Sequence, residues 1–412
     1  MGLTLASAAA EAGFRVVGVD VDADRIQGLT RGDLVVPGVS ERAFEAGTKD
    51  GRLTFSTDPS AIERAELIFI CVPTPLADGA PDLRFVEVAS ATVAQHLRPG
   101  SLVVLESTTY PGTTEQLVRP ILEAGSGLRA NEEDFLLAYS PERIDPGNSE
   151  FGMRNTPRVV GGCTPEATAT AVAFYGQIVD KVMTVSSTRV AETAKLLENT
   201  FRHINIALVN ELSILCHEMG IDVWEAIDAA GTKPYGFMPF FPGPGVGGHC
   251  IPLDPTYLAW QIRRESGRRF GVLEQAQEVN ERMPDWVASR VGGILNDRGL
   301  PVKDADILAL GVTYKADVGD VRESPSLRVM EALHRKGARV GFHDVYVEEV
   351  PLNGGVAHRV EDLDAAVAQA DCVVLLTPHS EYDLERIADR ATVVFDTRNV
   401  YGSARRPNVI AL

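Results

Sequence analysis

Short apolar segments alternate with helical segments twice along this chain, and that alternation limits its fold more than any other feature. In the first part of the chain, apolar runs typical of strands lie at residues 15–21, 67–72, 102–105, 135–138 and 158–160. Helical periodicity lies between them, for example at residues 83–96 and 114–124. Strands that alternate with helices form parallel βαβ units, so the pattern predicts a doubly wound α/β sheet.

A long helical pattern follows at residues 188–220, where apolar side chains recur at helical spacing. A helix of about 30 residues would be about 45 Å long, enough to join two domains or to pair with its copy in a homodimer. The alternation of strands and helices returns after Asp306. We therefore predict an α/β protein with two Rossmann-like doubly wound domains, residues 1–187 and 298–412, joined by the long helix and a helical middle domain, residues 188–297.

The charge balance and the cysteines argue against several classes of protein. The 412-residue chain has a formal net charge of −18, which disfavours nucleic-acid binding because phosphate contacts require a basic surface. It has no apolar run of transmembrane length and no signal-peptide pattern at its start, so we expect no membrane association and a cytoplasmic location. Its five widely spaced cysteines contain no CxxC pair, so we predict neither a metal site nor a disulfide framework.

The segment Val17-Gly18-Val19-Asp20 places a carboxylate at the end of a predicted strand. A Rossmann domain binds the ribose hydroxyls of a dinucleotide at such a position, although strands that end in Asp are also common elsewhere. The glycine turn that normally precedes this carboxylate is incomplete. Gly2 fits its last glycine, and we interpret the first strand and the first two glycines as missing.

Polar loops follow three of the predicted strands, and their key sequences are CVPTP at 71–75, ESTTYPGT at 106–113 and SPER at 140–143. Open α/β sheets bind ligands at the carboxyl ends of their strands, so hydroxyls and charges there could serve a cofactor, a water or a substrate. Each loop also has a plainer interpretation: a strand exit, helix capping by Thr113 or Thr114, or an ion pair of Glu142 with Arg143.

The most distinctive local sequence is the glycine-rich loop PGPGVGGHC at 242–250, within a longer loop that we predict for residues 233–254. Its glycines allow a close backbone approach and can present amides to a phosphate or sugar. Cys250 after this loop could be a nucleophile, with Asp254 nearby, or a buried thiol in a flexible turn. Lys195 and Asn199 are four residues apart on the long helix and so share one face. That face either belongs to the active site or is simply exposed to solvent.

Cations follow predicted strands in the second α/β domain. Lys315 lies in Tyr314-Lys315, Arg322 in the run DVRESP at 320–325, and Arg398 follows Asp396-Thr397. Lysine and arginine at strand exits suit a diphosphate, although surface ion pairing is the commoner reason for such residues.

In their order along the chain these motifs resemble those of the UDP-glucose, UDP-N-acetylglucosamine and UDP-N-acetylmannosamine dehydrogenases. The shared motifs are CVPTP, ST-x-x-PGT, SPE, E-x-x-K-x-x-x-N, GG-x-C-x-x-x-D, YK and D-x-RESP. The resemblance covers essentially the whole chain. The wording PERIDPGN and GPGVGGHCIPLDP is most similar to the UDP-N-acetylglucosamine 6-dehydrogenase branch.

The resemblance implies an NAD-dependent oxidation of the C6 hydroxyl of a UDP-sugar to a carboxylate, through a thioester on Cys250 and with two NAD consumed. It implies a homodimer through the long helix. The implied catalytic residues are Cys250, Lys195, Asn199, Asp254, Glu142 and Thr108. The implied NAD-binding residues are Gly2, Asp20, Arg25, Thr74, Thr108 and Arg322. The implied substrate-binding residues are Glu142, Arg143, Lys195, Gly243, Gly245, Gly247, Gly248, Lys315 and Arg398.

Two departures from the family pattern leave alternatives open. Leu253 stands where many UDP-glucose dehydrogenases have lysine, which favours UDP-N-acetylglucosamine over UDP-glucose, with UDP-N-acetylmannosamine as a further alternative. The incomplete glycine turn allows a non-catalytic nucleotide-sugar-binding homologue. A 3-hydroxyacid dehydrogenase is a weaker alternative, because such an enzyme needs neither the glycine-rich cysteine loop nor a second α/β domain.

Overall fold

The computed structural model describes residues 2–33, 39–77, 79–131, 133–145, 148, 150–248, 250–402 and 406–412, without the side chain of Cys250. The chain forms two compact units. One contains residues 1–198 and 256–268, and the other contains residues 199–255 and 269–412.

The first unit alternates strands with helices. Its helices are α1 Gly2–Glu11, α2 Ala23–Arg31, α3 Glu41–Lys49, α4 Arg84–His96, α5 Arg119–Ser126 and α6 Pro165–Ile178. Its strands are β1 Val16–Val19, β2 Leu53–Ser56, β3 Leu67–Ile70, β4 Leu76–Ala77, β5 Ala80–Pro81, β6 Leu102–Leu105, β7 Leu136–Tyr139, β8 Arg158–Gly162 and β9 Val182–Thr184. A 3₁₀ turn spans Pro59–Arg64, and a π-helical turn, Thr114–Val118, precedes α5.

The main sheet of this unit has the strand order β3-β6-β7-β8-β9, and two clusters of buried aliphatic and aromatic side chains pack in this unit. The strands are parallel except for the β7–β8 pair. We predicted one doubly wound sheet, but β1 and β2 form a separate parallel pair. Among the described strands, none lies between β1 and β3 and pairs with both. One edge of β1 is therefore unpaired, and the side chains of Val17 and Val19 are exposed.

The middle of the chain is helical. Its helices are α7 Thr188–Met219, α8 Val223–Gly231, α9 Cys250–Ser266 and α10 Gly271–Asn296. The helices α7 and α9 each have residues in both units. Asp222 caps the start of α8 by accepting hydrogen bonds from the Trp224 and Glu225 amides, which satisfies two of the donors that a helix N-terminus leaves free.

The second unit contains an all-parallel five-stranded sheet in the order β11-β10-β14-β15-β16, beside a β12–β13 hairpin. Its strands are β10 Asp306–Leu310, β11 Arg339–His343, β12 Glu349–Leu352, β13 Gly355–His358, β14 Cys372–Leu375, β15 Val394–Asp396 and β16 Val409–Ala411. Its helices are α11 Pro325–Arg335, α12 Leu363–Gln369 and α13 Leu384–Arg390. The strand order reverses between β10 and β14, which is where doubly wound sheets bind ligands.

The predicted α/β class, with parallel sheets and a helical middle region, is confirmed. The predicted loop at residues 233–254 is wrong at its end, because α9 begins at Cys250 and includes Asp254. Pro252 is tolerated in the first turn of α9, where backbone amides have no helical acceptor, and Pro255 removes a single helical hydrogen bond. Among the described residues, no helix is long and apolar enough to cross a membrane.

Candidate active site

The carboxyl edge of the main sheet in the first unit gathers several of the predicted residues. Thr74 follows β3, Thr108 follows β6 and Glu142 follows β7, and all three side chains are buried. The backbone carbonyl of Thr74 accepts a hydrogen bond from the hydroxyl of Tyr257. Because these strands are parallel, their carboxyl ends share one edge, and the edge presents hydroxyl and carboxylate groups.

The predicted dinucleotide residues at the start of the chain lie in the same unit. Asp20 follows β1 and forms a 2.9 Å ion pair with Arg25, so the structure pairs these two predicted residues with each other. Helix α1 begins at Gly2, where a Cβ atom would lie 3.4 Å from Cβ of Cys71. A helix N-terminus with free amides suits a diphosphate, and a carboxylate after a strand suits ribose hydroxyls. The residues present therefore fit a dinucleotide.

Glu142 belongs to a buried charged cluster that the sequence analysis did not detect. Its Oε1 accepts hydrogen bonds from the amides of Arg143 at 2.6 Å and Ile144 at 2.8 Å, and its Oε2 accepts one from Nη1 of Arg158 at 3.1 Å. The antiparallel register of β7 and β8 pairs Ala138 with Gly162 and Tyr139 with Gly161. Continued past the end of β7, the same register brings residue 142 opposite residue 158.

Arg158 is 2% exposed and also forms an ion pair with the fully buried Glu106. The hydroxyl of Tyr175 donates to Glu106, and Nε of Arg158 donates to Ser140 at 3.0 Å. Burial raises the pKa of Glu106, although Arg158 opposes this. Burial would also raise the pKa of Glu142, but Arg158 and the two amides outweigh it and leave that pKa below its ordinary value. Glu142 is therefore held as a carboxylate.

Glu192 on α7 is a further buried carboxyl group, and its hydrogen-bond donors lie in the segment after β6. It accepts hydrogen bonds from the amide of Gly112 at 2.5 Å, the amide of Thr114 at 2.9 Å and the hydroxyl of Thr114 at 2.7 Å. Burial raises the pKa of Glu192 to about 7, although these donors oppose the rise. Glu192 thus ties the loop after β6 to the long helix, one turn before Lys195.

Lys195 and Asn199 are separated by four residues on the continuous helix α7, and each is 8% exposed. The division into units falls between them. Within the second unit, Nδ2 of Asn199 donates to Oδ2 of Asp254 at 2.5 Å, and both side chains are buried. This bond joins α7 to the first turns of α9, so the structure brings together two residues that lie 55 positions apart in the sequence.

Cys250 is the first residue of α9. A thiol at a helix N-terminus has a lowered pKa because the free amides and the helix dipole favour the thiolate. Other thiols of the chain differ: burial raises the pKa of Cys71 well above its ordinary value, and raises those of Cys163 and Cys372 to about 12. The position of Cys250 in the fold therefore suits a nucleophile better than the positions of those three.

The glycine-rich loop is packed tightly inside the second unit. A Cβ atom on Gly247 would lie 2.7 Å from Cδ of Pro325, and Gly248 has a φ of 84° that favours glycine. The backbone amide of Gly248 donates to the carbonyl of Arg322 at 3.1 Å. A Cβ on Gly243 would collide with the guanidinium of Arg398. The described glycines are thus required by packing against the predicted cation-bearing segments, and substrate contact by them stays a prediction.

The three predicted cations of the second unit have different surroundings. Arg398 follows β15, and its Nε donates to the carbonyl of Leu376 at 3.0 Å, while burial lowers its pKa to about 10. Arg322 is largely exposed and forms a 2.7 Å ion pair with Asp320. The carbonyl of Lys315 accepts a hydrogen bond from the hydroxyl of Thr313 at 2.9 Å. Lys315 and Arg398 follow strands of one parallel sheet and so lie at the same edge.

Three comparisons with known proteins agree with this arrangement. The family models of the UDP-glucose/GDP-mannose dehydrogenases match the chain at residues 1–179 for the NAD-binding domain, 189–282 for the central domain and 308–403 for the UDP-binding domain. A UDP-N-acetyl-D-mannosamine dehydrogenase of Pyrococcus horikoshii is 35% identical over 97% of this chain and 93% of its own length.

Two further similarities cover nearly the full length of the chain. An NDP-N-acetyl-D-galactosaminuronic acid dehydrogenase of Ralstonia nicotianae is 34% identical over 98% of this chain and 95% of its own length. A solved structure of a UDP-D-ManNAc dehydrogenase from Pyrococcus horikoshii is 33% identical, covers 100% of this chain and 96% of that one, and superposes with a TM-score of 0.89.

Proposed function

Because the chain belongs to the UDP-glucose/GDP-mannose dehydrogenase family, we propose that it oxidises the C6 hydroxyl of a UDP-N-acetylhexosamine to a carboxylate through a thioester on Cys250. The protein is an NAD-dependent nucleotide-sugar dehydrogenase, an oxidoreductase. NAD, when bound, accepts one hydride in each of the two oxidation steps that separate a primary alcohol from an acid.

The observation that carries the proposal is the buried hydrogen bond between Asn199 and Asp254. It joins Asn199 of the E-x-x-K-x-x-x-N motif on α7 to Asp254 of the GG-x-C-x-x-x-D motif on α9, the helix that begins at Cys250. In the proposed reaction, the Cys250 thiolate adds to the C6 aldehyde and the resulting thiohemiacetal is oxidised to a thioester. The thioester prevents escape of the aldehyde between the two oxidations.

We assign complementary roles to the polar residues. Asn199 and Asp254 position the reacting oxygen or a water, and the Lys195 cation stabilises negative charge as it develops on that oxygen. Glu142, held ionised by Arg158, takes a proton from the water that hydrolyses the thioester, and Thr108 holds that water. Thr74, Thr108, Asp20 with Arg25, the α1 N-terminus at Gly2, and Arg322 would hold NAD. Arg143, Lys315, Arg398 and the loop glycines would hold the UDP-sugar.

The sugar is the finer part of the proposal. The loop sequence GPGVGGHCIPLDP resembles the UDP-N-acetylglucosamine branch. Relatives that are 34% or 35% identical to this chain are named for UDP-N-acetyl-D-mannosamine or NDP-N-acetyl-D-galactosaminuronic acid. These names share a 2-acetamido sugar, which supports an N-acetylhexosamine over glucose. We retain UDP-N-acetylglucosamine as the first candidate and UDP-N-acetylmannosamine as the second.

The test is NADH formation by the protein with UDP-N-acetylglucosamine, UDP-N-acetylmannosamine and UDP-glucose as separate substrates. We expect about two NADH for each sugar consumed, as required for oxidation of an alcohol to an acid. Cys250→Ala should abolish turnover, and Cys216→Ala, at a buried position of α7, is the matched control. Turnover by Cys250→Ala at the wild-type rate would refute the thioester route. No NADH with any of the sugars would favour the non-catalytic homologue.

We also propose a homodimer formed through α7. The part of α7 that belongs to the second unit has an exposed apolar stripe, whose residues are spaced three, four or seven apart. The stripe consists of Phe201, Leu208, Leu212, Leu215 and Met219. An exposed stripe of this kind is typical of a helix that pairs with another copy. The double variant Leu208→Glu/Leu215→Glu should be a monomer in sedimentation experiments, whereas Glu218→Gln, which lies outside the stripe, should remain a dimer.

We propose a cytoplasmic location as well, because a reducing compartment would keep the catalytic thiol of Cys250 free.

A further inference from the structure

His203 lies four residues after Asn199 on α7 and is 1% exposed. Its neighbours in the second unit form a chain of buried hydrogen bonds. The backbone amide of Gly243 donates to Oδ1 of Asn210 at 3.0 Å, and Nδ2 of Asn210 donates to Oδ1 of Asn280 at 2.9 Å. Nδ2 of Asn280 then donates to the His203 carbonyl at 3.2 Å and faces Nε2 of the His203 ring at 3.4 Å.

The direction of this chain is set at both ends by the backbone. The Gly243 amide can only donate, so Asn210 must present its oxygen to it and its nitrogen to Asn280. The His203 carbonyl can only accept, which orients the Asn280 nitrogen toward His203. Nε2 of His203 is consequently an acceptor. A neutral ring with Nε2 unprotonated carries its hydrogen on Nδ1.

In the part of the chain that the structure describes, no group accepts a well-aligned hydrogen bond from this Nδ1, although the atom is fully buried. Burial lowers the pKa of His203 to about 4, while the charge of Glu281 and the Ile251 backbone oppose this fall. A backbone group that raises a histidine pKa is an acceptor of its N–H, which for Ile251 is the carbonyl.

The Ile251 carbonyl has a specific reason to need a donor. In an α-helix each carbonyl accepts a hydrogen bond from the amide four residues later. For Ile251 that residue is Pro255, which has no N–H. Ile251 directly follows Cys250 in the first turn of α9. The Asn199–Asp254 hydrogen bond joins α7 to α9 within about one helical turn of both His203 and Ile251. This contact places the buried His203 donor near a carbonyl that lacks its helical partner.

We propose that Nδ1–H of His203 donates to the Ile251 carbonyl in place of the amide that Pro255 lacks, and so holds the first turn of α9 and the backbone of Cys250 in place. His203 is then a positioning residue, and the hydrogen-bond chain through Asn280 and Asn210 links the glycine-rich loop to the nucleophile's helix. The link to Cys250 chemistry rests on the function proposed above, whereas the hydrogen bond itself does not.

The first test reads the tautomer in the unmodified protein. ¹⁵N-labelled histidine in the full chain gives distinct nitrogen shifts for protonated and unprotonated ring atoms, and His203→Asn identifies the His203 signals. The proposal requires Nδ1 protonated and Nε2 unprotonated at neutral pH. A signal from the opposite tautomer overturns it, whatever the activity of the enzyme.

The second test is a pair of substitutions at His203 combined with one at Pro255. Asn can present its side-chain nitrogen near the Nδ1 position, whereas Leu presents no donor. We expect His203→Leu to lower kcat by roughly 10- to 100-fold with a smaller change in KM, because the nucleophile is misplaced, and His203→Asn to retain most of the wild-type kcat. The rate of Cys250 alkylation by iodoacetamide, measured by peptide mass spectrometry, should change strongly in His203→Leu and little in His203→Asn.

Pro255→Ala supplies the missing helical amide, so it should restore most of the activity and thiol reactivity of His203→Leu while changing the wild type little. If His203→Leu acted only by disturbing the packing around residue 203, Pro255→Ala would not restore activity. Equal damage from His203→Asn and His203→Leu, or no recovery by Pro255→Ala, overturns the proposal. If His203→Leu does not fold, the ring tautomer of the wild type and the activity of His203→Asn test the proposal. Wild-type turnover by Cys250→Ala would instead remove the proposed function and leave the hydrogen bond standing.

Discussion

Glu142 and Glu192 are both buried carboxyl groups of the first unit, with exposures of 7% and 0%, and both accept hydrogen bonds from two backbone amides. Their pKa values nevertheless move in opposite directions from the ordinary value, downward for Glu142 and upward to about 7 for Glu192. The difference is the guanidinium of Arg158, which contacts Glu142 at 3.1 Å. At Glu192, two amides and a hydroxyl do not compensate the burial of the carboxylate, whereas at Glu142 two amides with a cation do.

This contrast matches the tasks proposed for the two groups. A base that takes a proton from water must be ionised at neutral pH, and Arg158 provides for that in Glu142. Glu192 contacts the loop after β6 through Gly112 and Thr114 and therefore suits a structural task. Substitutions at these groups and at their partners test the contrast.

Arg158→Met should have the largest effect, because it leaves Glu106 and Glu142 buried without their cation. We expect a loss of about 3–5 kcal/mol in the free energy of unfolding, measured by urea titration. Adding Glu106→Gln to Arg158→Met should recover part of that loss, because one of the two buried charges is then removed. A loss below about 1 kcal/mol for Arg158→Met would mean that the cation does not set the difference between the two carboxyl groups.

Glu142→Gln should slow turnover by roughly 10²- to 10⁴-fold, the usual contribution of a positioned base. Because hydrolysis follows the second hydride transfer, a rapid burst of NADH should remain in stopped-flow traces while steady-state turnover falls. Glu192→Gln is the matched control, since it removes a buried carboxylate that has no proposed chemical role. Equal losses of turnover in the two variants would contradict the division of tasks.

The unfolding free energy should depend on pH with opposite signs at the two groups. The pKa of Glu192 is about 7 in the folded protein against an ordinary 4.5, so between these values the folded chain keeps a proton that the unfolded chain has released. Stability from this group therefore falls as pH rises from about 4.5 to 7, by roughly 3 kcal/mol in total. The stability of Glu192→Gln relative to wild type should rise over that interval, as read from urea titrations at several pH values.

For Glu142 the pKa is lowered, so its contribution to stability is present above the ordinary pKa of 4.5 and is lost as pH falls below it. Glu142→Gln should accordingly cost more stability at neutral pH than in acid. A matching slope in both variants would show that the two environments do not differ in the way described.

Removal of single hydrogen-bond partners should have the smallest effects. Thr114→Val deletes the 2.7 Å hydroxyl bond to Glu192, and Ser140→Ala deletes the acceptor of the 3.0 Å bond from Nε of Arg158. Each should cost about 1–3 kcal/mol of unfolding free energy, because a buried polar group loses one partner. Thermal unfolding of the two variants beside wild type measures this, and no change in either would indicate that water replaces the lost group.

Local sequence patterns were enough to predict the order of the elements and to propose residues for the candidate site. Apolar runs such as residues 102–105 and the helical spacing of residues 188–220 are local patterns, so they predicted β6 and α7 closely. The motif residues Lys195, Asn199, Cys250 and Asp254 could be predicted for the same reason, since each motif is contiguous in the chain, and their roles stay predictions.

Which buried groups face one another depends on how the elements pack, and no local pattern predicted it. Arg158 opposes Glu142 because the antiparallel register of β7 and β8 places them together, and no local pattern around either residue encodes that register. The helix that begins at Cys250 contains two prolines, which read as a loop in isolation, and it forms because tertiary packing compensates a single lost hydrogen bond. The tautomer of His203 likewise depends on donors from α10 and the glycine-rich loop, which lie distant in the sequence and close in space.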